Sequence, residues 1–326
     1  MECEWNVLSF SIAEKSTFAN LIFRMEQKNI LKGVLFVGAG AAVYGMLATF
    51  VKLAYADKSD SGIGFTTAEV TTSQFALGIL FTALLVWING KSKIQKPSPT
   101  SKEIKSLIIA GTSTGLTSIF YYLSVKFIPV SIAIVLLMQT VWIGVALEAL
   151  LRKQKPSTAK LLAIAVVLFG TLLATKAFEA QDIPDWRGLV LGFLAACSFT
   201  TTMFTANSIA TGAASEKRSF WMLIGGACMV FPFALATQST PFNFEIFYTW
   251  GIILALFGTV IPPILLNKGF PLTGIGLGSI VASLELPVSV LMAFFLLNES
   301  VSGFQWLGII LILIAVVLIN RKAKLG

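Results

Sequence analysis

Residues 275–320 read IGLGSIVASLELPVSVLMAFFLLNESVSGFQWLGIILILIAVVLIN, two apolar runs on either side of a short polar segment. The runs cover 275–297 and 304–320, and Glu285 is the one charged residue inside them. An α-helix needs about 20 predominantly apolar residues to cross the hydrocarbon core of a bilayer. This stretch therefore predicts two consecutive transmembrane helices.

Eight similar runs precede this pair, so we predict an all-α integral membrane protein with ten transmembrane helices. Hydrophobic residues make up 56% of the chain and charged residues only 12%, whereas soluble domains carry about 25% charged residues. A water-soluble core stops growing at roughly 250–300 residues, so a chain of this composition needs lipid around it. The eight earlier runs lie at about 33–55, 68–89, 105–126, 130–151, 158–176, 188–208, 218–237 and 247–268.

The basic residues between the runs predict the orientation in the membrane, because Lys and Arg are retained on the cytoplasmic side. With an inside N-terminus and ten spans, 19 of the 24 Lys and Arg residues fall on the cytoplasmic side and five on the other. We therefore expect a multi-pass protein of the cytoplasmic (inner) membrane with both termini in the cytoplasm. Arg218 is placed in a cytoplasmic loop by this topology.

The topology divides the chain into a cytoplasmic N-terminal segment, two sets of five spans and a basic cytoplasmic tail, at 1–29, 30–177, 186–321 and 322–326. Glu2 and Glu4 stand where a cleavable signal peptide needs positive charge, so none is expected. Residues 1–24 are interpreted as an overlong start. The alternative is a helix that lies on the membrane surface.

The two sets of five spans carry similar sequence patterns. At an offset of 146 residues, Gln139 falls on Glu285, and the polar breaks after Leu151 and Leu297 coincide. Because five is odd, the second set must enter the membrane with the opposite sense. Inverted repeats place a binding site near the midplane, where the two halves meet. We therefore predict two inverted five-helix repeats.

Short motifs in this arrangement resemble the EamA type of the drug/metabolite transporter superfamily. The segments Leu284-Glu285-Leu286-Pro287, Phe295-Leu296-Leu297-Asn298-Glu299 and Leu307-Gly308-Ile309 are similar to the family's Leu-Glu-Pro, Leu-Gly-Glu and glycine-containing last helix. Here Leu286 separates the glutamate from the proline, and Asn298 replaces a glycine. The resemblance covers about 30–320. It implies a secondary transporter of solutes such as amino acids, sugars or drugs, with no metal or organic cofactor.

Acidic residues inside the spans are candidates for function, since a charge at the bilayer centre costs roughly 2.5–3.5 kcal/mol on insertion scales. Glu285 lies near the middle of its span and is predicted to bind a proton or a cationic substrate group. The alternative is a protonated carboxyl that bonds a neighbouring helix. Glu148 is expected to pair with Arg152, four residues later on the same helix face, and Glu69 is expected to reach water.

Four more side chains near mid-depth complete the predicted substrate-binding set. Tyr44, Trp142 and Phe199 offer rings on which a ligand can stack, and ordinary aromatic packing is the alternative for each. Gln139 is expected to face Glu285 across the two halves.

Small and cyclic residues predict where helices approach one another or bend. Gly111 and Gly115 have the spacing of a close helix–helix contact. Pro262 and Pro263 are expected to break or bend the eighth span, because proline lacks the N–H that a helix needs.

Absent residue types narrow the chemistry. The chain has no histidine, and its three cysteines have unrelated spacings, so neither a metal site nor a cofactor is expected. No Gly-rich phosphate-binding loop precedes a Lys-Ser or Lys-Thr pair, so ATP is not expected to drive the chain directly. The net charge of +8 lies in short loops between apolar runs, which does not indicate a nucleic-acid partner.

The sequence thus predicts a transporter that moves a small neutral, zwitterionic or amphiphilic metabolite by alternating access, with an amino acid as the first guess and export favoured. Its expected partners are that substrate, the lipid bilayer and a proton coupled through Glu285, and it is expected to be a monomer or a homodimer. Two other classes stay open. One is a membrane-embedded lipid-modifying enzyme, which would need an acid/base pair or a metal. The other is a non-transporting membrane scaffold.

Overall fold

The computed structural model describes residues 2–57, 64–90, 97–175 and 185–323, and every regular element in these ranges is helical. The side chains of 2–26, 130–131 and 321–323 are outside this description. Lys91, Lys93 and Lys96, which contribute to the predicted cytoplasmic charge, also lie outside the described residues, as do Asp60 and Asp182.

The α-helices are α1 (Glu2–Ala56), α2 (Thr67–Asn89), α3 (Ser101–Ser124), α4 (Val130–Leu137), α5 (Thr140–Arg152), α6 (Thr158–Ala174), α7 (Trp186–Ser208), α8 (Ser215–Thr237), α9 (Gly251–Ala255), α10 (Ile261–Ala282), α11 (Glu285–Leu296) and α12 (Gly303–Ala323). A short 3-10 helix, Phe244–Phe247, precedes α9, and a π-helical turn, Leu256–Val260, joins α9 to α10.

Polar residues at the helix starts explain several boundaries. The Thr66 hydroxyl accepts a hydrogen bond from the backbone N–H of Glu69, and the Glu69 carboxylate accepts one from the Thr66 N–H. This capping box satisfies donors that a helix start leaves without a partner. Asp185 caps α7, and hydrogen bonds from the side chain and backbone of Arg187 hold the pKa of the Asp185 carboxyl below its usual value.

The lengths and compositions of the helices support a multi-pass membrane protein. Within the described residues, eight helical stretches are long and apolar enough to cross a membrane, and Thr158–Ala174 is apolar but shorter. One of the eight, Gly251–Leu296, has 46 residues, which suffices for two crossings of about 20 residues each. The count of ten spans therefore stays a prediction. Leu150 is 75% exposed and Leu235 84% exposed, as expected of a surface that faces lipid.

The broken helices of the two halves match each other. A short turn inside a predicted span precedes both α5, which starts at Thr140, and α11, which starts at Glu285. The left-handed residues Lys153 (φ 52°) and Asn298 (φ 51°) then follow these helices. Both landmarks repeat after 145 residues, one fewer than the offset of 146 taken from the sequence. The structural register therefore pairs Glu285 with Thr140 rather than with Gln139, because backbone breaks fix the alignment more strongly than two polar side chains.

The principal helix contacts join the first half of the chain to the second. α1 packs along α10 and α11, α3 packs against α7 and α8, and α6 packs on α12. Gly111 lies against the backbone of Met222, and Gly115 lies against that of Gly226. The predicted close contact at these two glycines is confirmed, since a side chain at Gly111 would overlap the Met222 carbonyl.

Two irregularities of the backbone divide the 46-residue apolar stretch Gly251–Leu296 into segments. Gly274 has φ 75° and ψ 168°, a backbone conformation that is essentially restricted to glycine, and it separates the eighth and ninth predicted spans. Pro262 and Pro263 follow the π-helical turn directly. The chain stays helical at these prolines, and the π-helical turn before them is the local departure from the α-helix, so the predicted break or bend of this span stays a prediction.

Candidate functional site

A small cavity lies between the two halves of the chain. Helices α1 and α3 contribute Tyr44 and Thr114, while α7, α8 and α10 contribute Thr202, Ser219 and Asn267. In this conformation the cavity has room for about one water molecule. An organic solute can therefore enter only when the walls part.

The cavity wall is largely apolar, with Met203, Met222 and Leu266 among its residues, and the few polar side chains in it carry no formal charge. Thr202 Oγ1 and Ser113 Oγ are 2.8 Å apart and form a hydrogen bond between α7 and α3. Asn267 Nδ2 donates to Ser219 Oγ over 2.8 Å, which joins α10 to α8. Within the described residues, no group of three or more His, Cys, Asp or Glu side chains could hold a metal ion.

Arg218 lies directly behind this wall and is 1% exposed. Its guanidinium donates to the backbone carbonyls of Ala206 (2.6 Å), Asn267 (2.7 Å), Ile209 (2.9 Å) and Thr205 (3.2 Å). Three of these carbonyls belong to the C-terminal end of α7, where a helix leaves C=O groups without partners. The Asn267 carbonyl lacks its helical partner because the residue four positions later is a proline.

The prediction that Arg218 lies in a cytoplasmic loop is wrong. The carbonyls at the end of α7 form the negative end of the helix dipole, which stabilises a buried cation. Within the described residues, no aspartate or glutamate pairs with Arg218. No local pattern indicates this burial, because Arg218 follows Glu216 and Lys217 and looks like part of an ordinary charged segment at the start of an apolar span.

Three of the predicted site residues lie in one region. The rings of Tyr44 and Phe199 are 6.2 Å apart at 82°, an edge-to-face contact, and both belong to the largest core cluster. Glu285 is partly buried, and its backbone carbonyl lies against Gly45, the residue after Tyr44. Among the described residues, no hydrogen bond or ion pair reaches the Glu285 carboxylate.

The other two predicted site residues contact each other. Trp142 Nε1 donates to Gln139 Oε1 over 2.8 Å, and Gln139 Nε2 donates to the Val135 carbonyl over 3.0 Å. The Trp142 ring stacks on Phe193 at 6.5 Å and is 38% exposed. Neither Gln139 nor Trp142 lines the cavity beside Tyr44. No hydrogen bond in the described part of the chain joins Gln139 to Glu285.

The Glu69 side chain does not reach water, so that prediction is wrong. It is 3% exposed and accepts hydrogen bonds from Gln238 Nε2 (3.0 Å) and from the backbone N–H of Asn243 (2.7 Å). These bonds tie the start of α2 to the connection between α8 and α9. The sequence missed them because the partners lie about 170 residues away along the chain.

The predicted pairing of Glu148 with Arg152 is confirmed at 3.5 Å. Glu148 also accepts from Lys160, and its carboxylate lies against Gly274 and Gly276 of α10. The ion pairs thus lie within the first half, and the packing of the Glu148 carboxylate on Gly274 and Gly276 brings the two halves together at the end predicted to be cytoplasmic.

At the end predicted to be exterior, Lys52 of α1 and Glu299, between α11 and α12, form an ion pair at 2.5 Å. Both side chains are well exposed. This pair joins the first half of the chain to the second on the side opposite the Glu148 cluster.

The comparisons with known proteins agree with this two-part architecture. One solved crystal structure, described only as a protein, superposes with a TM-score of 0.70 at 13% identity, over 88% of this chain and 97% of that chain. At this identity the likeness concerns the fold alone. No curated protein matches the chain. The profile of the EamA-like transporter family matches residues 31–176 and again residues 186–321. With both halves matched, the chain belongs to the EamA-like transporter family, a family of membrane transporters.

Proposed function

We propose that this chain is a secondary transporter that carries a small neutral, zwitterionic or amphiphilic metabolite across the cytoplasmic membrane by alternating access. An amino acid is the first guess for the substrate, and export is the favoured direction. The observation that carries the proposal is the cavity between the two family repeats, whose largely apolar wall includes the Tyr44 ring and a few uncharged polar side chains. Such a mixture of apolar surface and a few polar groups is typical of small-molecule sites.

Contacts at the two ends of the molecule support alternating access. The Lys52–Glu299 pair joins the halves at one end, and the Glu148 carboxylate packs against Gly274 and Gly276 of the second half at the other. If only one of these contacts opens at a time, the cavity meets one side of the membrane and then the other. The π-helical turn before Pro262 and Pro263 offers α10 a place to bend, since π-turns and prolines weaken the regular helix ladder.

Glu285 is the proposed coupling residue. Its carboxylate has no hydrogen-bond or ion-pair partner among the described residues, so a proton is the simplest way to neutralise it inside the membrane. Substrate and proton would then alternate in the same region, because Tyr44 lines the cavity and the next residue, Gly45, lies against the Glu285 backbone.

The test is transport by the purified chain in vesicles that carry a pH difference. A panel of amino acids and neutral amphiphiles is offered inside or outside, and protein-free vesicles serve as the control. We expect saturable movement of at least one solute, with its rate dependent on the pH difference. If no solute moves but lipid headgroups are chemically changed, the membrane-embedded enzyme is the correct class. If neither transport nor lipid modification occurs, the non-transporting membrane scaffold is the correct class.

A further inference from the structure

One wall of the cavity carries a buried hydrogen-bond acceptor without a donor. Asn267 is 3% exposed and lines the cavity, and its Oδ1 atom has no hydrogen-bond partner among the described residues. The other end of the amide is engaged, because Nδ2 donates to Ser219 Oγ at 2.8 Å and approaches Met222 Sδ at 3.8 Å. An amide oxygen buried in this way receives no hydrogen bond from the described residues, so a donor that enters the cavity can supply one.

The backbone of Asn267 is fixed from behind. Its carbonyl accepts from Arg218 over 2.7 Å, and Arg218 also binds the end of α7. The amide is thus held between α8 and α10 by one backbone and one side-chain hydrogen bond. A side chain anchored at both positions is preorganised for a ligand, since little conformational entropy remains to be lost on binding.

A donor and an acceptor lie next to each other at this point. Ser219 Oγ accepts from Asn267, and no described residue accepts the Ser219 hydroxyl proton. A ligand can therefore donate to Asn267 Oδ1 and accept from Ser219. Primary amides, secondary amides and alcohols carry both functions on one small group.

The positive charge of Arg218, which lies behind the cavity wall, disfavours the binding of a cationic ligand. Arg218 is buried without a carboxylate partner in the described part of the chain, and none of the residues that line the cavity is acidic. A cationic group brought against Asn267 would meet this positive charge at low dielectric. An anionic group would meet the unpaired oxygen of Asn267 itself. An uncharged group avoids both penalties.

We propose that Asn267 Oδ1 accepts a hydrogen bond from an uncharged N–H or O–H group of the transported solute, and that Ser219 donates to the same group. This inference rests on the proposed transport function and narrows its substrate class to solutes that present a neutral amide or alcohol group to Asn267. A zwitterionic substrate such as an amino acid would place its charged groups elsewhere in the site. Asn267 is then a specificity-determining residue, and Arg218 positions it.

The experiment measures equilibrium binding to the full chain in lipid nanodiscs by titration calorimetry. Four probes of nearly equal shape are compared: benzamide, N,N-dimethylbenzamide, benzamidinium and benzoate. We expect benzamide to bind most tightly. N,N-dimethylbenzamide, which has lost its N–H groups, should bind about tenfold more weakly, the usual effect of one hydrogen bond to a buried partner.

Variants assign the effect to the residue. Asn267→Leu should weaken benzamide binding to the level of the dimethyl probe and leave the dimethyl probe unchanged. Asn320→Leu is the matched control, because Asn320 Oδ1 is another buried amide oxygen with no partner among the described residues but does not line the cavity. It should leave all four affinities unchanged. Asn267→Asp keeps the size of the side chain and should shift the binding preference from benzamide to benzamidinium. This variant still tests the proposal if Asn267→Leu does not fold.

Equal benzamide affinity in the wild-type and Asn267→Leu proteins would overturn the proposal, and so would a wild-type preference for benzamidinium or the absence of benzamide binding. Because binding is measured without transport, the two proposals can fail separately. Asn267-dependent binding in a chain that moves no solute would reject the transporter and keep the site. Transport together with Asn267-independent binding would reject the site alone.

Discussion

Glu285 begins α11 at the break inside the ninth predicted span. If its carboxyl exchanges a proton for substrate, Glu285→Gln mimics the protonated form. We expect this variant to exchange substrate down a gradient but to lose accumulation driven by a pH difference. Both activities are measured in the same vesicles, so a loss of protein would lower both.

Unchanged pH-driven accumulation by Glu285→Gln would reject proton coupling. In that case the carboxyl serves only to bond a neighbouring helix, which an amide can also do. Loss of equilibrium exchange as well would indicate a direct contact with a cationic substrate group.

Arg218 should contribute strongly to stability, because it supplies hydrogen bonds to two helices at once. Arg218→Met leaves four buried carbonyls without these donors. We expect a loss of at least about 3 kcal/mol, since a hydrogen bond to a charged group contributes roughly 1.5–3 kcal/mol. Thermal unfolding in detergent measures the change. Arg187→Met is the control, because Arg187 forms an exposed ion pair with Asp185. Similar destabilisation in both variants would contradict this assignment.

Single residues show which parts of the site the sequence could predict. Glu285 and Tyr44 interrupt apolar runs near their middles, so both residues can be recognised as exceptions from the sequence alone. Arg218 and Asn267 stand near the ends of runs, where polar residues are ordinary. Their burial depends on carbonyls and side chains of other helices, which no local pattern records.

Helices α3 and α8 approach each other so closely at Gly111 that a substitution which adds one methyl group tests the contact. Gly111→Ala would push its Cβ into the Met222 carbonyl, and overpacking of this kind costs roughly 1–3 kcal/mol. We expect a lower midpoint of thermal unfolding. Gly303→Ala should have little effect, because no atom lies within 4 Å of the added Cβ. Equal midpoints for the two variants would show that α3 can shift freely away from α8.

The helices themselves were largely predictable, because each apolar run is bounded by polar or helix-breaking residues. The register between the two halves was not. The sequence aligned Gln139 with Glu285, whereas the helix starts align Thr140 with Glu285. Side-chain polarity is a weak guide to register when most neighbours on both helices are interchangeable aliphatic residues.

The topology of the whole molecule follows from charge and can be tested independently of the cavity. Reporter fusions after Lys96, Lys155 and Lys324 should report the cytoplasm, because these sites follow clusters of basic residues. Opposite sides for Lys96 and Lys155 would show that the two spans between them are miscounted.

Fusions on the other side complete this test. Those near Asp60, Asp182 and Ser239 should report the exterior. A cytoplasmic signal at Asp182 would place both halves in the same sense and would contradict the inverted repeat.

The 46-residue apolar run from Gly251 to Leu296 also bears on how the protein is made. During synthesis this run enters the membrane with little more than Lys268 and the Gly274 kink to separate its first part from its second. If the run crosses the membrane twice, as the ten-span topology predicts, we expect the two crossings to be integrated together, as a helical hairpin that folds at Gly274 during synthesis. A residue that cannot adopt the Gly274 conformation would favour one continuous helix and leave α12 to enter from the wrong side. Such a defect would appear as an inverted C-terminus in newly made chains.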